Sequence, residues 1–410
     1  MGISAGKPVY AWNRDGANRP PRAAQARPVA CPRYLGFCAG LIAFLLAGIV
    51  AAEPVRIATY NVGLGQDGPG RLVRLLAKGD DPIANNAAAI IARVSPDILL
   101  LTDFDYDLGG VALAMFAETL ASAGIAYPYR MPLAPNSGLA SGLDLDGDRR
   151  RGGPGDALGH GAFPGAAGMA LLSRLPIRAA EAQNYGKLLW RDLDGAALPV
   201  RDGAPFYSPE ALAMLPVSSR GHWVVPVDLP DGTIVHLLAS HPTPPVFDGR
   251  ENRNGLRNRD EIRLWSLLLD GGIDGVAAWP RDRAFVILGD LNADPEDGEG
   301  DQAAIRALLA HPLVQNAAPA SNGAAAAATA QGGPNKRHKG AAALDTADWD
   351  EGRTDGNLRV DYVLPSTAFR ITGAGVFWPA PDEDGFDLVG RDGNIGPHHR
   401  LVWVDIVPDG

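Results

Sequence analysis

Phe285-Val286-Ile287-Leu288-Gly289-Asp290-Leu291-Asn292 is the stretch on which the fold turns. Four consecutive apolar residues before a glycine read as a strand buried on both faces, since a half-exposed strand alternates apolar and polar side chains. An acid and an amide follow at once, where a strand gives way to a loop and chemistry is presented on a rigid scaffold. The same arrangement recurs outward from it. Val55–Tyr60 reads as a strand followed by Asn61, Asp97–Leu101 as one followed by Asp103, and Ile234–Ala239 as one followed by His241. Asp361 lies within the strand-like Arg359–Leu364, and His398-His399 precede Leu401–Ile406. Met169–Leu172 and Trp223–Val227 complete the predicted strands; Ala84–Val94, Ala112–Ser122, Glu261–Leu269 and Gln302–Leu309 fit helices. Strands and helices mixed in this order predict an α/β (α+β) fold and exclude a repeat protein.

The chain has 410 residues and opens on a basic, Pro-rich segment, then runs from Leu35 to Ala52 without a charge. Positive charge, an apolar run and the small residues Val50-Ala51-Ala52 form the pattern of a signal peptide over 1–52, cleaved before Glu53. The run is also long enough to span a bilayer, so an uncleaved N-terminal anchor is the competing reading. Either way the expected location is outside the cytoplasm, periplasmic or extracellular, or membrane-anchored there. Cys31 and Cys38 both lie in this leader, so residues 53–410 offer no disulfide, thiolate nucleophile or cysteine-based zinc site. The leader's six Lys/Arg against Asp15 leave −15 on residues 53–410, from a total of −10. Such a surface lacks the basic footprint of a duplex-DNA binder.

No Pro/Ser-rich linker divides residues 53–410, which are read as one domain. Two segments look like insertions. Residues 134–165 are Gly-rich and carry Asp144, Asp146 and Asp148, alternating acids that resemble a short calcium loop but miss the EF-hand spacing. Residues 317–342 are Ala/Gly-rich with Lys336-Arg337-His338-Lys339, and read as a flexible surface loop.

A lone Asn after a strand is ordinarily a turn residue, and a lone Asp a cap. Carboxylates, amides and imidazoles at so many strand ends together can build an oxygen-rich site for a hard cation such as Mg²⁺ or Mn²⁺, with histidines flanking a phosphate. The ordered set of motifs then carries a resemblance. Thr59-Tyr60-Asn61, Pro96-Asp97-Ile98-Leu99-Leu100-Leu101 with Asp103, Gly168–Ile177 (Gly-Met-Ala-Leu-Leu-Ser-Arg-Leu-Pro-Ile), Ser240-His241-Pro242, Gly289–Asn292, Arg359–Val363 and a final His resemble the endonuclease/exonuclease/phosphatase family. The resemblance implies a DNase-like, four-layered sandwich of two packed mixed sheets flanked by helices, and a metal-dependent phosphoesterase.

By that resemblance Asn61 helps ligate the metal or orient the phosphate, and Asp103 stands where the family normally has a metal-binding Glu. His241 stabilises phosphoryl oxygens or donates a proton, Asp290 orients or deprotonates the attacking water, and Asn292 holds a phosphate oxygen. Asp361 fixes the tautomer of His399. The family's closing Ser-Asp-His appears here as Pro397-His398-His399, which places His398 where a metal-contacting Asp is expected. Asp105 or Asp107 would be a substitute carboxylate. The cofactor expected is Mg²⁺ or Mn²⁺, with Ca²⁺ as a further candidate. The substrate expected is a phosphorylated small molecule or lipid rather than duplex DNA, and no obligate protein partner is evident. A non-catalytic binding protein with a degraded metal site is the alternative, motivated by Asp103 and His398.

Overall fold

A computed structural model describes residues 53–349, 355–390 and 397–409. The segment expected to be a signal peptide or anchor lies outside them. Among the described residues no helix is long and apolar enough to cross a membrane.

The chain runs β1 (Val55–Asn61), α1 (Arg71–Lys78), α2 (Pro82–Val94), β2 (Ile98–Phe104), α3 (Val111–Ser122), β3 (Tyr129–Leu133) and β4 (Gly168–Ser173). It continues through β5 (Gln183–Asn184), a small hairpin of β6 (Val200–Arg201) and β7 (Ala204–Pro205), α4 (Pro209–Leu212), β8 (His222–Asp228) and β9 (Ile234–Ser240). Then come α5 (Arg253–Asp270), β10 (Phe285–Asp290), α6 (Gln302–Leu309), α7 (Asn322–Gln331), β11 (Asp361–Pro365), β12 (Phe369–Val376) and β13 (Val402–Pro408).

Two mixed sheets result, ordered β12-β13-β1-β2-β4-β3 and β11-β10-β9-β8-β5. The two-residue side-chain period of β10 shows how they stack. Val286 and Leu288 join the core shared with β1, β2 and α1–α3, whereas Phe285 and Ile287 pack with Ile262, Trp265 and Ile305 of α5 and α6. In β2, Ile98–Leu101 are all fully buried, so both faces of that sheet are covered. Helices, sheet, sheet, helices is the α+β sandwich the motifs implied. Local signals agree with it. Asp81 accepts from Ala84 N as the N-cap of α2, Pro82 fills the first turn, and Ser95 ends the helix in the left-handed region.

The segment 317–342 is not a bare surface loop. It forms α7, whose Ala324 and Ala328 are buried, and its Lys336 and Arg337 sit in a 3₁₀ turn. The alanines pack by lying close rather than by being large, so the composition hides the burial. The other insertion, 134–165, has no α-helix or strand, but Leu145 and Phe163 anchor it in the interior.

Candidate active site

Sheet registry gathers the site at one end of the sandwich. β10 and β11 are antiparallel with Asp290 opposite Asp361, and β9 runs parallel to β10, which brings His241 alongside. Gly289 makes this approach possible. At φ +146° a Cβ there would lie 1.9 Å from the carbonyl oxygen of Ser240. Asn61 and Asp103 arrive from the parallel ends of β1 and β2 in the facing sheet.

Asp290 is the centre. It is 1 % exposed, and its Oδ2 accepts from Asn61 Nδ2 at 3.0 Å. His241 Nε2 lies 3.3 Å and His399 Nε2 3.8 Å from the same oxygen. Oδ1 accepts from Asn292 N at 3.0 Å, while Asn292 Nδ2 donates to Pro242 O. His399 Nδ1 pairs with Asp361 Oδ2 at 2.9 Å, and that oxygen also accepts from Thr346 Oγ1. Trp349 meets the His399 imidazole edge-on at 5.6 Å.

Electrostatics follow from this crowding. Burial works against ionisation of Asp290, but the charges of His399 and His241 and the Asn61 hydrogen bond hold its carboxyl well below the usual range. Burial likewise opposes charge on His399, yet Asp361 and Asp290 outweigh it and raise the imidazolium to about 9. His241 is moved the other way, down, by burial and by the nearby Arg220 guanidinium. Asp361, buried and beside Asp290, is pushed up.

These groups floor a cavity of about 660 Å³ lined by Asn61, Asp103, Arg220, His241, Asp290, Asn292 and His399, with Pro244–Phe247, Trp349 and an acidic wall beyond. Arg220 went unnoticed in the sequence because Ser218-Ser219-Arg220-Gly221 precedes a strand instead of following one. Its Nε donates to Ala167 O at 3.0 Å, and among the described residues it has no carboxylate partner.

Three sequence expectations change. His398 is exposed, with Nδ1 against the Asp348 carbonyl, and does not line the cavity. Neighbours in an extended segment face opposite ways, so an inward His399 turns His398 outward. Asp105 and Asp107 are not spare ligands. Buried Asp105, pushed up to about 6 by desolvation, accepts from Gln66 N and Ala167 N, and Asp107 accepts from Val111 N and Ala112 N at the start of α3. In the suspected calcium loop, Asp144 and Asp146 converge on buried Asp156 rather than on Asp148, which accepts from Arg150 N. The three carboxylates each bring an oxygen within 4.8 Å of the others, a grouping that could hold a metal ion, and each also accepts backbone amides.

Among the described residues Asp290, Asp361 and His399 bring ligand atoms within 4.8 Å of one another and could hold a metal ion, and a further oxygen ligand would come from Asp103. Its carboxylate faces the cavity beside Asn61 with no hydrogen-bond donor on it among the described residues, and it folds over Gly65, where a Cβ would lie 2.4 Å from Oδ1. Oxygen donors of this kind suit Mg²⁺, Mn²⁺ or Ca²⁺.

Residues 58–384 match the model of the Endonuclease/Exonuclease/phosphatase family. The chain belongs to that family. Its members are metal-dependent hydrolases of phosphoesters. The match stops short of His399, which the structure nevertheless brings to Asp290. Solved structures similar to the chain include an endonuclease/exonuclease/phosphatase from Beutenbergia cavernae, with 18% identity, TM-score 0.49, and coverage of 88% of this chain and 72% of that one. A family protein from Leptotrichia buccalis has 13% identity and TM-score 0.45, covering 86% and 99%. Sphingomyelinase C from Streptomyces griseocarneus has 18% identity and TM-score 0.45, also covering 86% and 99%. The comparison with curated proteins gave no match.

Proposed function

We propose that this protein is an exported phosphoesterase that hydrolyses a phosphomono- or diester by in-line attack of water. The observation that carries the reading is the Asp290 carboxylate, buried at the cavity floor between Asn61, His241 and His399. An anion held ionised there orients a water and takes its proton as the P–O bond forms. His399, kept protonated and fixed by Asp361, donates to the departing oxygen as the other P–O bond breaks. Arg220 and His241 face the phosphoryl oxygens, where donors already in place stabilise the charge that develops. Asp103 and Asn61 would help hold a divalent cation, which would supply further positive charge to those oxygens.

Small-molecule or lipid phosphoesters are preferred over duplex DNA. Support comes from the net −15 of residues 53–410 and from Asp294, Asp297, Glu299 and Asp355 on the cavity wall.

Asp290→Asn is nearly isosteric and tests the reaction. Turnover of a bis-aryl phosphate should fall by roughly 10²–10⁴, the size of one general acid–base contribution. Excess chelator should abolish it and Mg²⁺ or Mn²⁺ restore it. Near-wild-type turnover by Asp290→Asn with unchanged circular dichroism would sink the assignment. Export rests on the Leu35–Ala52 run. Sequencing protein recovered from outside the cytoplasm should find Glu53 at the N-terminus, and an intact Met1 would contradict cleavage.

A further inference from the structure

Helix α5 turns an unusual face to the sheet. Four of its buried positions are polar: Arg257 is 8 % exposed, and Asn258, Asp260 and Glu261 are fully buried. A core-facing helix stripe is ordinarily apolar, and ionisable groups are rarely buried without partners.

The partners of Glu261 are the loops that carry the phosphate-facing groups. Its Oε1 accepts from Ser219 N at 2.6 Å and Ser219 Oγ at 2.8 Å; Oε2 accepts from Thr243 N at 2.8 Å. Ser219 immediately precedes Arg220, and Thr243 follows His241 by two residues. One residue earlier in the stripe, Asn258 Nδ2 donates to Thr243 O at 2.8 Å and to Leu291 O at 3.0 Å, and Leu291 stands between Asp290 and Asn292. Arg257 holds the carbonyls of Pro216, Val217 and Ser218 in the same approach to Arg220. A single turn of helix thereby ties three site loops to one rigid body.

The three bonds Glu261 makes to these loops are all accepted by its oxygens, which favours the ionised carboxylate against the burial that raises its pKa. Glu261 itself is absent from the cavity lining. We infer that Glu261 is a positioning residue: its two oxygens set the separation of Arg220 from His241, and so the grip on the phosphoryl group. The inference rests on the phosphate-facing role proposed above for those two residues.

Glu261→Gln is the test. The amide keeps the volume but turns an NH₂ toward an N–H, whichever way it flips, and one loop is released. Calorimetry with inorganic phosphate as probe should show affinity reduced by about tenfold or more. kcat/KM on the bis-aryl phosphate should fall by roughly 10–10², the scale set by displacements near 1 Å. A role confined to stability would lower Tm and leave both values alone when they are measured well below the transition. The effect should also couple to Arg220: added to Arg220→Met, Glu261→Gln should cost less than it does in wild type, because the group it positions has gone. Phosphate affinity and kcat/KM within twofold of wild type, or full additivity with Arg220→Met, would overturn the inference. Should Glu261→Gln fail to fold, Ser219→Ala removes one donor and keeps both backbone bonds. It should weaken phosphate binding in the same direction, and unchanged affinity counts against the inference. Absence of hydrolysis by wild type would refute the proposed reaction, while the phosphate arm still judges Glu261.

Discussion

At φ +52° Asp103 occupies the left-handed region, at an irregularity in the pairing of β2 with β4. Short polar residues such as Asp and Asn tolerate that backbone better than longer ones. The backbone turn that aims residue 103 into the cavity thus favours a short acid over a longer one. His399 lends itself to a sharper test. Its pKa is raised from 6.5 to about 9 because Asp361 and Asp290 outweigh burial. In the reaction proposed above the protonated form is the donor, so activity should fall as pH rises through the folded pKa. The sign for stability is the same: His399 contributes fully below about pH 6.5 and its contribution is lost as pH rises through about 9. Asp361→Asn removes the first of the two anions, so the alkaline limb of kcat should move to lower pH. A pH–rate profile whose alkaline limb stays in place would show that His399 is not the titrating donor.

Elements differ in how plainly the sequence announces them. The centres of strands β2 and β10 are continuous apolar runs because both faces are covered, β1 and β9 are mostly apolar runs broken by Arg56 and Thr59 and by His236, and the strand ends place Asn61, Asp103, His241 and Asp290 without knowledge of the fold. Adjacent His398 and His399 are harder, since only the pairing of Ala347 with His399 decides which ring turns inward. Edge strands β3 and β12 keep exposed, weakly patterned residues and escape detection. The first half of α5 does too, because its buried positions are polar. Helix α7, Asn-Gly-Ala-Ala-Ala-Ala-Ala-Thr-Ala-Gln, has no apolar period to read. What holds it is its last residue. Gln331 Nε2 donates to Asp348 Oδ1, and its Oε1 accepts from Asn335 and Asn357. Asp348 in turn pairs with buried Arg400 and immediately precedes Trp349, the residue against His399. Gln331→Leu should cost about 1–3 kcal/mol, the penalty for stranding buried polar partners, whereas Lys339→Ala should stay within about 0.5 kcal/mol. Urea denaturation of the two variants checks this; equal midpoints would return α7 to the status of a dispensable loop.

Across the whole molecule, the proposed preference for a small phosphoester rests on charge. Residues 53–410 carry −15, and Arg220 is the one Lys or Arg among the described cavity-lining residues, facing Asp103, Asp290, Asp294, Asp297, Glu299 and Asp355. A small ester needs only the local cation and the two imidazoles at the cavity floor. On that proposal, the line of phosphates on duplex DNA would be repelled by the net negative chain before any of them reached Asp290. The range of that repulsion is set by salt: the Debye length is about 30 Å at 0.01 M and about 8 Å at 0.15 M. A basic nuclease loses DNA affinity as salt rises, because counterion release drives its binding. Here the sign reverses. At fixed divalent cation, kcat/KM for plasmid nicking should stay below that for the bis-aryl phosphate and should rise between about 0.01 and 0.15 M NaCl, while the small ester changes little. Plasmid nicking that is fastest at the lowest salt, and faster than small-ester hydrolysis, would mean that a basic track on this acidic protein leads nucleic acid to the site, and the preference for small phosphoesters would be wrong.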